Sequence, residues 1–198
     1  VTCPHCNFEK SYDEYLEIEH NITLHGPAGA ERTFVTTTQD EPVIRVMPTG
    51  SGPELTVSGL TISGGNGMSG GGIDARAASF LTLSHVIVED NYAGRYAGGV
   101  YGPFELDSTL IQNSTIRNNT AGGDAGGAKL AGAVIEDSAI HDNTAYLGAG
   151  LYGDGGNYTL TNSLISSNSS SDYGAGAYFE FADSVDGGTY QANTAEYY

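Results

Sequence analysis

A chain of 198 residues with 24 acidic against 7 basic side chains, a net charge of −17, repels polyanions, which excludes nucleic acid and anionic membrane surfaces as partners. Its 29 glycines, 13 tyrosines and lack of tryptophan suit an extracellular β protein better than a cytosolic helical enzyme. No apolar run reaches the ~18 residues of a membrane-spanning helix, and the length matches one domain with a substantial core.

Residues 1–14 lie outside any repeat and are expected to cap the N-terminal end of the main domain, since an uncovered strand edge exposes backbone donors and acceptors. They hold both cysteines, in Cys3-Pro-His-Cys6. With His20 and His25 downstream, the spacing falls within the range of a zinc site, so Cys3, Cys6, His20 and His25 are candidate ligands. A Cys3–Cys6 disulfide in an oxidising compartment is the simpler account, and two free thiols are the third. The metal reading is weakened because His20 and His25 flank a predicted strand and, five residues apart, project to opposite faces.

Residues 15–198 form the main domain. Strands are expected at 15–18 and 22–24, with a turn at Gly26-Pro27, then at 34–36 and 43–46, with Pro42 and Pro48 at corners.

From about residue 55 one phrase recurs: an apolar residue, two spacers and Asn. It reads Val88-Glu-Asp-Asn91, Ile116-Arg-Asn-Asn119, Ile140-His-Asp-Asn143, Ile165-Ser-Ser-Asn168 and Tyr190-Gln-Ala-Asn193, after a looser copy ending at Asn66. Successive asparagines from Asn66 are 25, 28, 24, 25 and 25 residues apart. A small-residue phrase keeps step with them, as in Gly70-Gly-Gly-Ile73, Gly126-Gly-Ala128 and Gly148-Ala-Gly-Leu151. Between the phrases, apolar residues two apart, such as Leu81 and Leu83, mark short strands. A period of about 25 residues is too short for a helical hairpin repeat. It predicts an all-β, right-handed parallel β-helix with three short strands per coil and about seven coils.

Stacked coils put equal offsets in one column. Val88, Ile116, Ile140, Ile165 and Tyr190 should form one inward ladder, and Leu83, Ile111, Ile135, Leu160 and Val185 a second. Ser114, Ser138 and Ser163 form a small polar column at a corner. Asn91, Asn119, Asn143, Asn168 and Asn193 are expected at another corner as a structural ladder, because Asn tolerates left-handed geometry and its amide satisfies turn backbone.

These phrases resemble the GGA-[ILV] and FxxN repeats of polymorphic outer-membrane proteins, with Ile in place of Phe and Lys129 in place of the aliphatic residue after Gly126-Gly-Ala128. The chain also resembles the wider group of secreted or surface bacterial proteins with pectate-lyase-like β-helix repeats. That resemblance implies a secreted or cell-surface location and specifies fold far better than activity.

Outward positions carry the candidates for chemistry. Asp74, Tyr101, Lys129, Tyr152 and Tyr178 follow the glycine phrases, and Tyr92, Tyr96, Tyr146 and Tyr173 fall near the preceding corner. Aligned coils could present an exposed aromatic strip, with Tyr101, Tyr152 and Tyr178 as candidate ligand-facing aromatics for sugars or another protein. Carboxylates recur at Glu89-Asp90, Glu136-Asp137 with Asp142, and Asp183 with Asp186, where calcium could relieve their repulsion. Asn21, Asn113, Asn118, Asn157 and Asn168 sit in glycosylation triplets, which a chain rich in Asn, Ser and Thr also produces by chance.

No hydrolase or lyase cluster is recognisable, so no catalytic residue is assigned; Arg117 beside His141 on adjacent coils is the one pair to test. Thr120, Thr144 and Thr194 do not make the continuous threonine array that ice binding needs, because Tyr92 and Ser169 interrupt it. The reading is a non-enzymatic structural or adhesive solenoid. Its expected partners are copies of itself end to end, a further domain beyond Tyr198, or glycans. The alternative is a carbohydrate-binding or lyase-like module.

Overall fold

The computed structural model describes residues 15–196, and these hold strands, turns and no helix. About seven coils of about 26 residues stack as a parallel β-solenoid. Seven strands make the first sheet, from Leu16–Ile18 through Ile73–Asp74, Val100–Tyr101, Ala128–Leu130 and Leu151–Asp154 to Ala177–Glu180. The second sheet takes two strands from most coils, such as Phe80–Ser84 and Ile87–Glu89, and in two coils they merge into the long strands Asn157–Ser166 and Ser184–Gln191. A third sheet of six short strands, including Tyr92–Tyr96, Thr120–Ala121 and Thr144–Ala145, forms from the residues just after each asparagine.

The register matches the repeat. Val88 lies opposite Ile62 and Ile116, and Ile116 opposite Ile140, while Leu83, Ile111 and Ile135 align in the same way. Val88, Ile116, Ile140, Leu83, Ile111 and Ile135 are each at most 1% exposed, so the tube is filled by stacked aliphatic side chains rather than left open.

Corners come from residues in the left-handed region. His85, Asn113, Asp137 and Asn162 have positive φ at the bend within the second sheet, and Asp90, Asn118, Asp142 and Ser167 at the bend before the third. Asn and Asp dominate because their short polar side chains tolerate that geometry best after glycine. This corrects one expectation: the left-handed residue is the one before each ladder asparagine, which frees the asparagine side chain to point inward.

Behind the first of these bends, Ser114 Oγ accepts the Val86 N–H at 3.1 Å, Ser138 Oγ that of Ser114 at 3.1 Å and Ser163 Oγ that of Ser138 at 3.3 Å.

The last described coil departs from the pattern. Leu160 lies opposite Gly187 and Leu164 opposite Thr189, so its corner is two residues shorter than the one beneath it. Gly187 and Gly188, at φ 83° and 84°, make the tighter turn that a side chain would oppose. Val185 therefore falls opposite Tyr158 instead of extending the ladder of Leu160, and it is 43% exposed. Residues 1–14, including the expected cap with Cys3 and Cys6, lie outside the described residues.

Candidate functional site

The asparagine column is built from inside the tube. Asn91 donates its backbone N–H and its Nδ2 to Asn119 Oδ1, at 3.1 and 3.0 Å, and Nδ2 also donates to Ile62 O at 3.1 Å. The same arrangement joins Asn119 to Asn143, Asn143 to Asn168 and Asn168 to Asn193, all at 3.0–3.1 Å. Each amide thus satisfies two donors of the coil before it and one carbonyl below. Asn119 and Asn143 are fully buried. Their amides are consumed by structure, which is why the fold tolerates a buried polar column.

The outward face of the first sheet is one continuous column in which Arg45, Asp74, Tyr101, Lys129, Tyr152 and Tyr178 succeed each other. Arg76 clasps Asp74 through two bonds of 2.7 and 2.8 Å and lies 5.0 Å from the Tyr101 ring centre. Lys129 Nζ sits 3.9 Å from the Tyr152 ring centre, 4.8 Å from that of Tyr96 and 3.2 Å from Asp124 Oδ2. Tyr152 donates its hydroxyl to Glu180 and packs on Tyr178 with ring centres 5.4 Å apart.

The expected aromatic strip is open only in part: Tyr101 and Tyr152 are buried against Ala97, Ala125, Tyr96 and Leu147 and Tyr178 is half-buried, whereas Tyr92, Tyr146 and Tyr173 near the preceding corner are exposed. Corner residues fold over the column, a tertiary effect that outward alternation does not encode. Burial raises the Tyr101 phenol above its ordinary range despite Arg76, and burial plus the Glu180 carboxylate raises that of Tyr152 further. Both hydroxyls stay neutral at pH 7, and that of Tyr152 serves as a hydrogen-bond donor.

Other singled-out residues are already paired. Arg117 and His141 are register partners, but Arg117 bonds Glu89 at 2.7 Å and His141 Nδ1 bonds Asp142 at 2.6 Å. Glu136 accepts from Gln112 and Asp137 from Asn162. His25 bonds Ser58, and His20 is exposed two residues before the same strand. Among the described residues no group of three or more His, Cys, Asp or Glu is placed to hold a metal ion.

Of the glycosylation triplets, Asn168 is buried in the ladder and its amide is engaged. Asn157 is exposed with its amide bonded to Asp107, and Asn21 is exposed with Oδ1 accepting the Glu54 N–H. Asn113 and Asn118 stand exposed at left-handed corners.

A face that outward glycine-phrase positions did not point to lies on the third sheet. Asn66, Tyr92, Thr120, Thr144, Ser169 and Thr194 align in one outward column. Two residues further along each strand come Met68, Gly94, Gly122, Tyr146, Ser171 and Glu196, all exposed. The inward positions between them include Ala93, Ala121 and Ala145, whose small side chains pack as their own buried cluster. In the sequence the outward column is the interrupted threonine array of Tyr92, Thr120, Thr144, Ser169 and Thr194 that follows the asparagines.

The fold and these faces define a parallel β-helix solenoid repeat protein. No family model matches the chain, and no curated protein and no solved structure matches it.

Proposed function

We propose that this chain is a structural and adhesive β-solenoid of a cell exterior, of the kind the polymorphic outer-membrane protein repeats represent, and that it acts without catalysis. The observation that carries the reading is the unbroken amide ladder from Asn91 to Asn193, which ties five coils into a stiff rod whose shared register uses no outward side chain. End-to-end assembly is part of the proposal. The last described coil leaves a shallow concavity lined by Tyr173, Gly176, Ala177, Tyr190, Asn193 and Ala195, at positions that one more coil covers elsewhere in the stack.

Seven coils span roughly 30 Å at the inter-strand spacing. Negative-stain images of concentrated protein should show rods several times that length. A single species of one-chain mass at every concentration, by sedimentation, overturns assembly.

A carbohydrate-directed reading is favoured by one observation, the exposed tyrosines of the third sheet. Its catalytic, lyase-like form requires release of unsaturated sugars from pectin or alginate, and is overturned if none appears.

A further inference from the structure

We propose that the outer face of the third sheet binds an uncharged polysaccharide, with Tyr92 and Tyr146 as stacking platforms and the hydroxyls of Thr120, Thr144 and Ser169 lying between and beside them. This rests on the adhesive reading and names the ligand class for it.

Three tyrosines on this flank are nearly half exposed: Tyr92 at 46%, Tyr146 at 49% and Tyr173 at 45%. Tyr101, Tyr152 and Tyr158, by contrast, are buried. Tyr92 and Thr120 are register partners, Thr120 pairs with Thr144, and Tyr146 lies two residues beyond Thr144, so the two rings stand two coils apart in adjacent columns with the hydroxyls between and beside them.

Glycines leave room beside the rings. A Cβ at Gly94 would come within 3.4 Å of Met68 Sδ, and one at Gly122 within 2.5 Å of Gly94 O and 3.9 Å of the Tyr92 hydroxyl. Exposed aromatic rings beside hydroxyls are the pairing that an apolar sugar face and its equatorial hydroxyls recognise.

Charge selects the class of sugar. In a chain of net charge −17, the two outward columns of this sheet carry one charged residue, Glu196 at the far end. Asp90 and Asp142 stand at the corner along one border, and Asp124 and Asp172 lie along the other. On the same flank Arg95 is exposed and Lys129 pairs with Asp124, yet Asp90, Asp142 and Asp172 leave the balance of charge acidic, so an acidic polymer laid on the strip would be repelled. An uncharged one meets no such barrier.

Native gels cast with hydroxyethylcellulose, mannan, dextran or polygalacturonate test the proposal on the full chain. At least one of the three uncharged polymers should retard the protein and polygalacturonate should not. Tyr146→Ala and Tyr92→Ala should each weaken retardation about tenfold, while Phe104→Ala, at a different corner, leaves it unchanged. Both tyrosines are exposed, so unchanged melting temperatures will show that the variants fold.

Retardation by polygalacturonate, or by none of the polymers, overturns the uncharged-polysaccharide assignment but leaves the adhesive reading standing. Retardation that Tyr146→Ala and Tyr92→Ala do not alter overturns the face.

Discussion

The coils from Asn91 to Asn168 and the last described coil carry the same phrase, yet they use it differently. In the middle coils every ladder amide is covered on both sides, Ser114, Ser138 and Ser163 close the bend within the second sheet, and the aliphatic column is sealed. In the last coil Asn193 is half-buried, Gly188 stands at the offset serine would occupy, and Tyr190 and Val185 are 42% and 43% exposed. The lesson is that the phrase does not stabilise by its residue types alone. A hydrogen bond is worth most where its loss would strand buried partners, and that depends on a coil lying above.

The sharpest break of this comparison is Asn143→Ala against Asn193→Ala. The first strands the N–H and Nδ2 of Asn119 together with the carbonyl of Ile116 inside the tube, and should cost about 3–5 kcal/mol in denaturant melts. The second strands the same kinds of donor on Asn168 at a half-open end and should cost about 1 kcal/mol. Equal losses would mean that burial is not what distinguishes the two regions.

Ser138→Ala comes next, at about 2 kcal/mol, because it orphans the Ser114 N–H behind the corner. Melting of this variant beside Ser114→Ala, which strands the Val86 N–H, checks that the column acts coil by coil.

Alkaline titration gives a smaller effect. Tyr158 is wholly buried, donates to Leu130 O at 2.7 Å and accepts from the Gly132 N–H, and burial pushes its phenol up to about 12. Its folded pKa lies above the unfolded value, so its contribution is complete below pH ~10 and is lost as pH rises toward ~12. Melting temperature should fall across that window, and the fall should shrink in Tyr158→Phe.

Least affected should be Val185→Ala, below about 1 kcal/mol, where the equivalent change at Ile135 costs about 3 kcal/mol. A large loss at Val185 would restore it to the sealed ladder and contradict the shortened corner.

Much of the fold is legible in the sequence. A fixed offset from each asparagine picks out Ile116, Ile140 and Ile135 because a stacked coil repeats its environment, and Ser114 and Ser138 come from the same count. The count fails at Val185 because Gly187-Gly188 removes two residues from the corner, and an offset carries no information about loop length. Alternation puts Tyr101, Tyr152 and Lys129 on the outer side of the first sheet, where they lie, but it gives direction and not cover; Tyr96 and Leu147 reach over them from the adjoining corner. The third sheet shows in the sequence only as aligned positions after the asparagines, such as Thr120, Thr144 and Thr194, and not as strands, since segments such as Thr120–Ala121 are too short to show a period of two.

Coupling between neighbouring ladder amides tests the stacked register most directly. In a double-mutant cycle, Asn119→Ala and Asn143→Ala, 24 residues apart in sequence, should show an interaction of at least about 1 kcal/mol, whereas Asn91→Ala and Asn168→Ala should be additive. Additivity of the Asn119 and Asn143 changes within about 0.5 kcal/mol would contradict a shared column and the solenoid built on it.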